Sequence, residues 1–145
     1  MKKIFLTLIV VISSISLFAN SIDVNEKVLN AFNKTFPNVK DIKWTESKYF
    51  YEVNFKQDLI IARVTYDHEG NIVKTLRYYY GEQLPIFILE KVKNRFAKQT
   101  IYGVTEESTE EGTQYHISLQ DAKNWILITS DSYGSITVDK KYNKA

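Results

Sequence analysis

The chain has 145 residues, 19 Lys and Arg against 17 Asp and Glu, and no Cys. The absence of Cys excludes disulfide staples and Cys-based metal sites. The near balance of charge excludes a target held purely by electrostatics, such as nucleic acid or a membrane surface.

The first 19 residues read as a secretory signal peptide. Lys2 and Lys3 form a basic start, Ile4 to Ile12 is almost wholly apolar, and Ala19 offers the small side chain a signal peptidase needs. The apolar run is short for a span and has no basic flank on its far side. Cleavage after Ala19 removes two lysines and no acid, which leaves 17 basic and 17 acidic residues. The expected location is periplasmic or secreted.

Val24, Val28, Phe32 and Phe36 then recur every four residues, the stripe of an amphipathic helix. Asp23 and Glu26 have capping-box spacing, and Pro37-Asn38 ends the helix. The period next changes to two. A short strand begins with Val39, Ile42 and Trp44, and Tyr49, Tyr51, Val53 and Phe55 alternate with Phe50, Glu52 and Asn54. Leu59 to Tyr66 and Ile72 to Tyr80 follow as strands around the turn Asp67-His68-Glu69-Gly70-Asn71.

The pattern then starts again. Residues 20–81 align with 84–145 at an offset of 64 without gaps, and 15 of the 62 pairs are identical. Chance at this composition gives roughly four, and a repeat is the first thing to seek in a sequence. Ile88 or Leu89, Val92 and Phe96 form the second helical stripe after Pro85. Ile101 and Val104 start the next strand with a register slip of about two. Glu106 to Gly112 reads as an acidic loop. Tyr115, Ile117 and Leu119, then Trp125 to Ser130, then Ile136 to Tyr142, supply the remaining strands around the turn Asp131-Ser132-Tyr133-Gly134. The fold class is α+β: a tandem repeat of a helix followed by a four-stranded antiparallel sheet. Residues 20–145 form a single domain of two repeats, 20–81 and 84–145, because Gly81 to Leu84 is too short to let them move apart.

No catalytic, cofactor-binding or metal site emerges. His68 and His116 occupy unrelated positions, and zinc needs three or four clustered ligands. The Asp-x-x-Gly turns are too short to supply the six or more oxygens of a calcium loop. Glu106, Glu107, Glu110 and Glu111 lie in a polar setting that would not raise a carboxyl pKa. The chain has no G-x-S-x-G elbow, P-loop or dinucleotide fingerprint.

The aromatics carry the functional reading. Alternation places Phe50, Arg63, Arg77, Tyr79 and Trp125, with Ile61 and Leu127, opposite the apolar core set. Large aromatics and Arg on an open sheet have the composition of an interface centre. The structural alternative is burial of this face by the second unit or by a dimer partner.

The helix ending Ala31-Phe32 and Phe36-Pro37, the run Val39, Ile42-Lys43-Trp44, the pair Tyr51 and Phe55, and the turn Tyr66-Asp67-x-x-Gly70-Asn71-Ile72 resemble the PepSY-like, β-lactamase-inhibitor-like (BLIP-like) domains exported by Gram-negative bacteria. Leu84-Pro85, Val92 and Phe96 are similar to the same pattern. The resemblance implies a non-enzymatic protein binder with an open sheet face. Its specific version is an inhibitor or modulator of a secreted or envelope hydrolase, with no cofactor. Ser108 or Glu106 stands where the first unit has Trp44, a departure from the pattern. The other class considered is a small-ligand sensor or carrier with a pocket between sheet and helices.

Overall fold

The computed structural model describes residues 22–144, so the signal-peptide expectation for residues 1–19 lies outside the described residues. Helix α1 (Glu26–Thr35) leads into β1 (Lys40–Glu46), β2 (Phe50–Gln57), β3 (Ile60–Asp67) and β4 (Ile72–Tyr79). A 3₁₀ turn at Gly81–Gln83 precedes α2 (Ile86–Arg95), and β5 (Thr100–Thr109), β6 (Gly112–Gln120), β7 (Asn124–Asp131) and β8 (Ile136–Asn143) complete the chain. All eight strands join one antiparallel sheet in sequence order. The halves therefore share a sheet rather than carry one each. β4 and β5 are hydrogen-bonded from Lys74↔Thr109 to Tyr79↔Val104.

Both helices lie against one face of this sheet. The α1 side packs Val24, Val28 and Phe32 onto Tyr51, Val53, Phe55, Ala62, Val64 and Tyr66. Phe32 is its centre, with the rings of Trp44 and Phe55 edge-on at 5.2 and 5.4 Å. The α2 side packs Leu84, Ile88 and Val92 onto Tyr79, Val104, Tyr115, Ile117, Leu119, Ile126 and Ile128. Fully burying one such side chain stabilises by about 1.5–3 kcal/mol, so these two clusters do the work disulfides do elsewhere.

Four expectations need correction. Asn25, not Asp23, caps α1: its Oδ1 accepts the Val28 N–H at 3.0 Å. Glu106 to Thr109 belong to β5, not to a loop. The helices correspond at an offset of 60 rather than 64, because Val28 and Phe32 are buried where Ile88 and Val92 are, and Phe36 and Phe96 close the two helices alike. From β2 onward the offset of 64 holds, as for Tyr51 and Tyr115. The four extra residues extend the β5–β6 hairpin. A slip of four is close to one helical turn of 3.6 residues, so it kept apolar residues on the same face and the gapless alignment still matched. Trp44 pairs with Val53 as Val104 pairs with Ile117, so Val104, not Ser108 or Glu106, stands in the place of Trp44.

Candidate protein-binding face

Directly opposed residues of neighbouring antiparallel strands lie on the same face of the sheet. Phe50 opposes Asp67 and Arg63 opposes Asn54, away from the helices. Trp125 opposes Gln120 and Tyr142 on that same open face. Arg77, however, opposes Ala62, a core residue. The expected placement of Arg77 and Tyr79 on the open face is therefore wrong. Tyr79 is 5 % exposed and belongs to the α2 core. Strand β4 reads Ile-Val-Lys-Thr-Leu-Arg-Tyr-Tyr, with no alternation to set its phase. A bulge against β3 between Thr65 and Tyr66 shifts that phase further.

Arg77 and Tyr79 instead converge on Glu106 at the middle of the helix-covered face. The Tyr79 hydroxyl donates to Glu106 Oε2 at 2.6 Å, and Arg77 Nη1 donates to Oε1 at 3.0 Å. The Glu106 side chain is only 13 % exposed. Burial first, then the bond to Glu106, pushes the Tyr79 phenol well above its usual range. This cluster ties β4 of the first half to β5 of the second.

The three sequence-designated residues on the open face are not together. Phe50 starts β2, at the end of the sheet carrying the β3–β4 and β7–β8 turns. Arg63 sits mid-sheet, its Nε donating to Asn54 Oδ1 at 2.9 Å and lying 3.4 Å from Glu52 Oε1. Trp125 starts β7, at the opposite end. There it has company, of which the sequence reading named only Ile61. Ile61 opposes Tyr78 on the open face. A bulge between Ile101 and Gly103 leaves Tyr102 without a cross-strand partner, and its ring meets Trp125 edge-on at 4.8 Å. Lys144 Nζ lies 4.8 Å from the Trp125 ring and Lys140 Nζ 5.0 Å from that of Tyr142. Leu59, Ile61, Tyr78, Tyr80 and Tyr102 line a shallow concavity of about 430 Å³. The result is an aromatic and aliphatic band across one end of the sheet, from the β2–β3 turn to β8. The signal for it was the pair Tyr78 and Tyr80, each one residue away from those chosen.

Away from the band, Phe50, Leu76 and Leu127 are interspersed with polar residues that pair with one another. Lys74 and Glu107 form an ion pair at 3.2 Å. Thr129 donates its hydroxyl proton to Asp139 at 2.7 Å and meets His116 Nδ1 at 3.1 Å. With that proton committed, the His116 ring donates to Thr129 rather than activating it, so the trio is not arranged as nucleophile and base. Among the described residues no cluster of three or more His, Asp or Glu could hold a metal ion.

The same architecture recurs in solved structures. A BLIP-like protein of Bacteroides fragilis matches with a TM-score of 0.65 at 17% identity, covering 87% of this chain and 92% of that one. This chain has a BLIP-like fold. A DUF2874 family protein of Bacteroides uniformis matches at 0.60 and 14% identity, covering 82% of this chain and 88% of its own. A Bacteroides eggerthii protein, whose name gives a periplasmic location by inference, matches at 0.60 and 18%, with 83% and 88% covered. No family model matches the chain, and no curated protein matches it. The BLIP-like fold fixes the arrangement of sheet and helices. At these identities it does not carry over a partner. Among the described residues no helix is long and apolar enough to cross a membrane.

Proposed function

We propose that this chain is an exported, non-catalytic protein-binding module whose partner seats on the aromatic end of the open sheet face. The observation that carries the reading is the Tyr102–Trp125 pair standing among Ile61, Tyr78 and Tyr80 with no helix over it. Rigid aromatics bury large area at little entropic cost, which is why Trp and Tyr dominate interface centres. Phe50 and Arg63 then lie toward the far end and middle of the same face, where they would contribute less. Inhibition or modulation of a secreted or envelope hydrolase is the specific form of this function, and the export pattern of residues 1–19 agrees with it. We also infer that residues 20–145 form one domain made of two copies of a helix-plus-four-strand unit.

The sensor or carrier reading would use the cleft of about 250 Å³ between α2 and the start of β5, lined by Leu89, Val92, Phe96 and Ile101. That is below the range of about 300–1,000 Å³ typical of small-molecule sites. The two cores fill the space between helices and sheet, and the protein-binding reading is the better supported one. The test is crosslinking pull-down from the native envelope with the wild type and a Tyr102→Ala/Trp125→Ala variant in parallel. A partner recovered by the wild type and lost by the folded variant supports the reading. Equal recovery by both refutes it.

A further inference from the structure

The sheet has two edge strands, and they differ. β1 is irregular: its pairing shifts between Lys40 and Lys43, Asp41 between them has φ +56°, and the Asp41 carboxylate pairs with Lys56 at 2.8 Å. An edge of that shape offers no straight ladder to another strand. β8 shifts register once, between the pairings of Leu127 and Ile128, and is regular from Lys140 to Asn143. Every residue from Thr137 to Asn143 is exposed.

The ladder shows which way the β8 backbone points. The Lys144 N–H donates to the Lys123 carbonyl at 2.7 Å, one step beyond the last strand pair. Alternate residues of an antiparallel strand turn their N–H and C=O to the same side. Tyr142 and Lys140 therefore face β7, and Lys141 and Asn143 aim their N–H and C=O outward. Lys140 and Tyr142 carry their side chains on the open face, opposite Leu127 and Trp125. Val138 opposes Ile128 on the helix side and is still 44 % exposed.

The regular part of β8 is also basic. Lys123, Lys140, Lys141 and Lys144 stand around it, with Asp121 and Asp139 as the acids. Asp121 accepts from the Lys123 and Asn124 N–H groups and from Gln99, and Asp139 accepts from Thr129. None of the four lysines belongs to an ion pair formed among the described residues. This excess is confined to the Trp125 end. At the other end of β8, Glu107, Glu111 and Asp131 share one concavity, and exposed Glu90 accompanies Lys91 and Arg95 on α2.

We propose that the partner adds an extended acidic segment to β8 as a ninth strand. This rests on the reading of the aromatic end as the binding face and names the partner's chemistry there. Lys141 and Asn143 supply the backbone donors and acceptors. Carboxylates on one side of the segment meet Lys140 and Lys144, and apolar side chains on the other side cover Val138. The added strand lies beside Tyr142 and so continues the aromatic band. Main-chain bonds give such a contact its affinity, and alternate side chains give its specificity. Lysines on an edge repel another basic edge, so they select an acidic strand.

The test titrates isotope-labelled protein with a synthetic peptide of alternating Glu and Val, and with its Lys and Val counterpart, followed by amide NMR. The acidic peptide should shift the Lys141 and Asn143 amides and slow their exchange with solvent, with an affinity that falls as salt rises. The basic peptide should leave them unmoved. Lys141→Pro removes a donor that is not bonded to β7, so the fold should survive. Affinity should fall about tenfold or more, because the ring blocks the edge as well. Asn143→Pro, at the strand's end, repeats the test if Lys141→Pro melts below the wild type. Lys140→Gln/Lys144→Gln should weaken binding about tenfold and flatten its salt dependence. Lys34→Gln/Lys48→Gln, an equal charge change on the first half, should leave it unchanged. Equal binding of the two peptides, no shift at Lys141 and Asn143, or a folded Lys141→Pro that binds like the wild type would overturn the proposal. In the envelope pull-down, a partner lost by Tyr102→Ala/Trp125→Ala but kept by folded Lys141→Pro would leave the aromatic face standing and overturn strand addition. A partner kept by both variants would overturn both readings. Self-association that Lys141→Pro abolishes would assign the edge to a second copy instead, and would also overturn the proposal.

Discussion

Replacing Glu106 by Ala tests whether the Arg77–Tyr79–Glu106 cluster holds the halves together. The substitution removes the acceptor of both the Tyr79 hydroxyl and the Arg77 guanidinium. Tyr79 is almost fully buried, so its hydroxyl has no water to turn to, and an unsatisfied buried donor costs about 1–3 kcal/mol. The Arg77 side chain is 43 % exposed, which screens its pairing and limits that loss to about 0.2–1 kcal/mol. The sum is about 1–4 kcal/mol, a large share of the roughly 5–15 kcal/mol that holds a typical domain. Glu106→Gln keeps an oxygen for Tyr79 and loses only the charge, so it should cost about 1 kcal/mol. Urea denaturation followed by Trp fluorescence measures both. In a Tyr79→Phe background the cost of Glu106→Ala should shrink, because the orphaned hydroxyl is gone. A Glu106→Ala protein within about 0.5 kcal/mol of the wild type would refute this account of the cluster.

Two further perturbations follow from the turns. Gly70 and Gly134 both have positive φ, +88° and +75°, so Ala at either should cost about 1 kcal/mol or more in backbone strain. A Cβ at Gly70 would stand 3.0 Å from the Lys27 backbone oxygen, whereas at Gly134 it meets the movable ends of Lys91 and Phe87. Gly70→Ala should therefore melt lower than Gly134→Ala, and the opposite order would contradict the packing described. Acid should destabilise the fold through three turn carboxylates. The Asn71 amide holds Asp67 below the usual range, the Gln99 amide holds Asp121 there, and the Ser135 N–H does so for Asp131. A carboxyl whose folded pKa is depressed contributes stability above its unfolded value of about 3.9 and loses it as pH falls through the folded value. The melting temperature should hold from neutral pH down to about 5 and drop below about 4; a flat profile to pH 2 would contradict this.

Much of the fold was legible because period and turn chemistry agree along most of the chain. Val28 and Phe32 at helical spacing, and Tyr51, Val53 and Phe55 at strand spacing, read correctly because each element buries one face only. Tyr49, assigned to the same face by alternation, precedes the strand and is exposed. β4 defeated the reading. It lies at the centre of the sheet between two cores, carries large side chains on both faces, and is bulged against β3. Its phase is set by pairing, which composition does not encode, so Arg77 and Tyr79 were exchanged for Tyr78 and Tyr80. Tyr102 was hidden for a similar reason, since only the bulge turns it toward Trp125. Glu106 read as part of a solvated loop because its partners are 27 and 29 residues away in sequence.

The central claim is that the aromatic end of the open face binds a protein, and Trp125→Ala tests it most directly. Trp125 rests on Tyr102 and Lys144 rather than in either core, so its loss should cost the fold only about 1–2 kcal/mol. Affinity for the partner captured from the envelope should fall by about 2 kcal/mol or more, roughly thirtyfold. Both quantities are to be measured on the same preparation, by thermal melt and by titration. A folded variant with weakened binding is the predicted result. A folded variant with full affinity, or a loss of binding that only tracks unfolding, would contradict it.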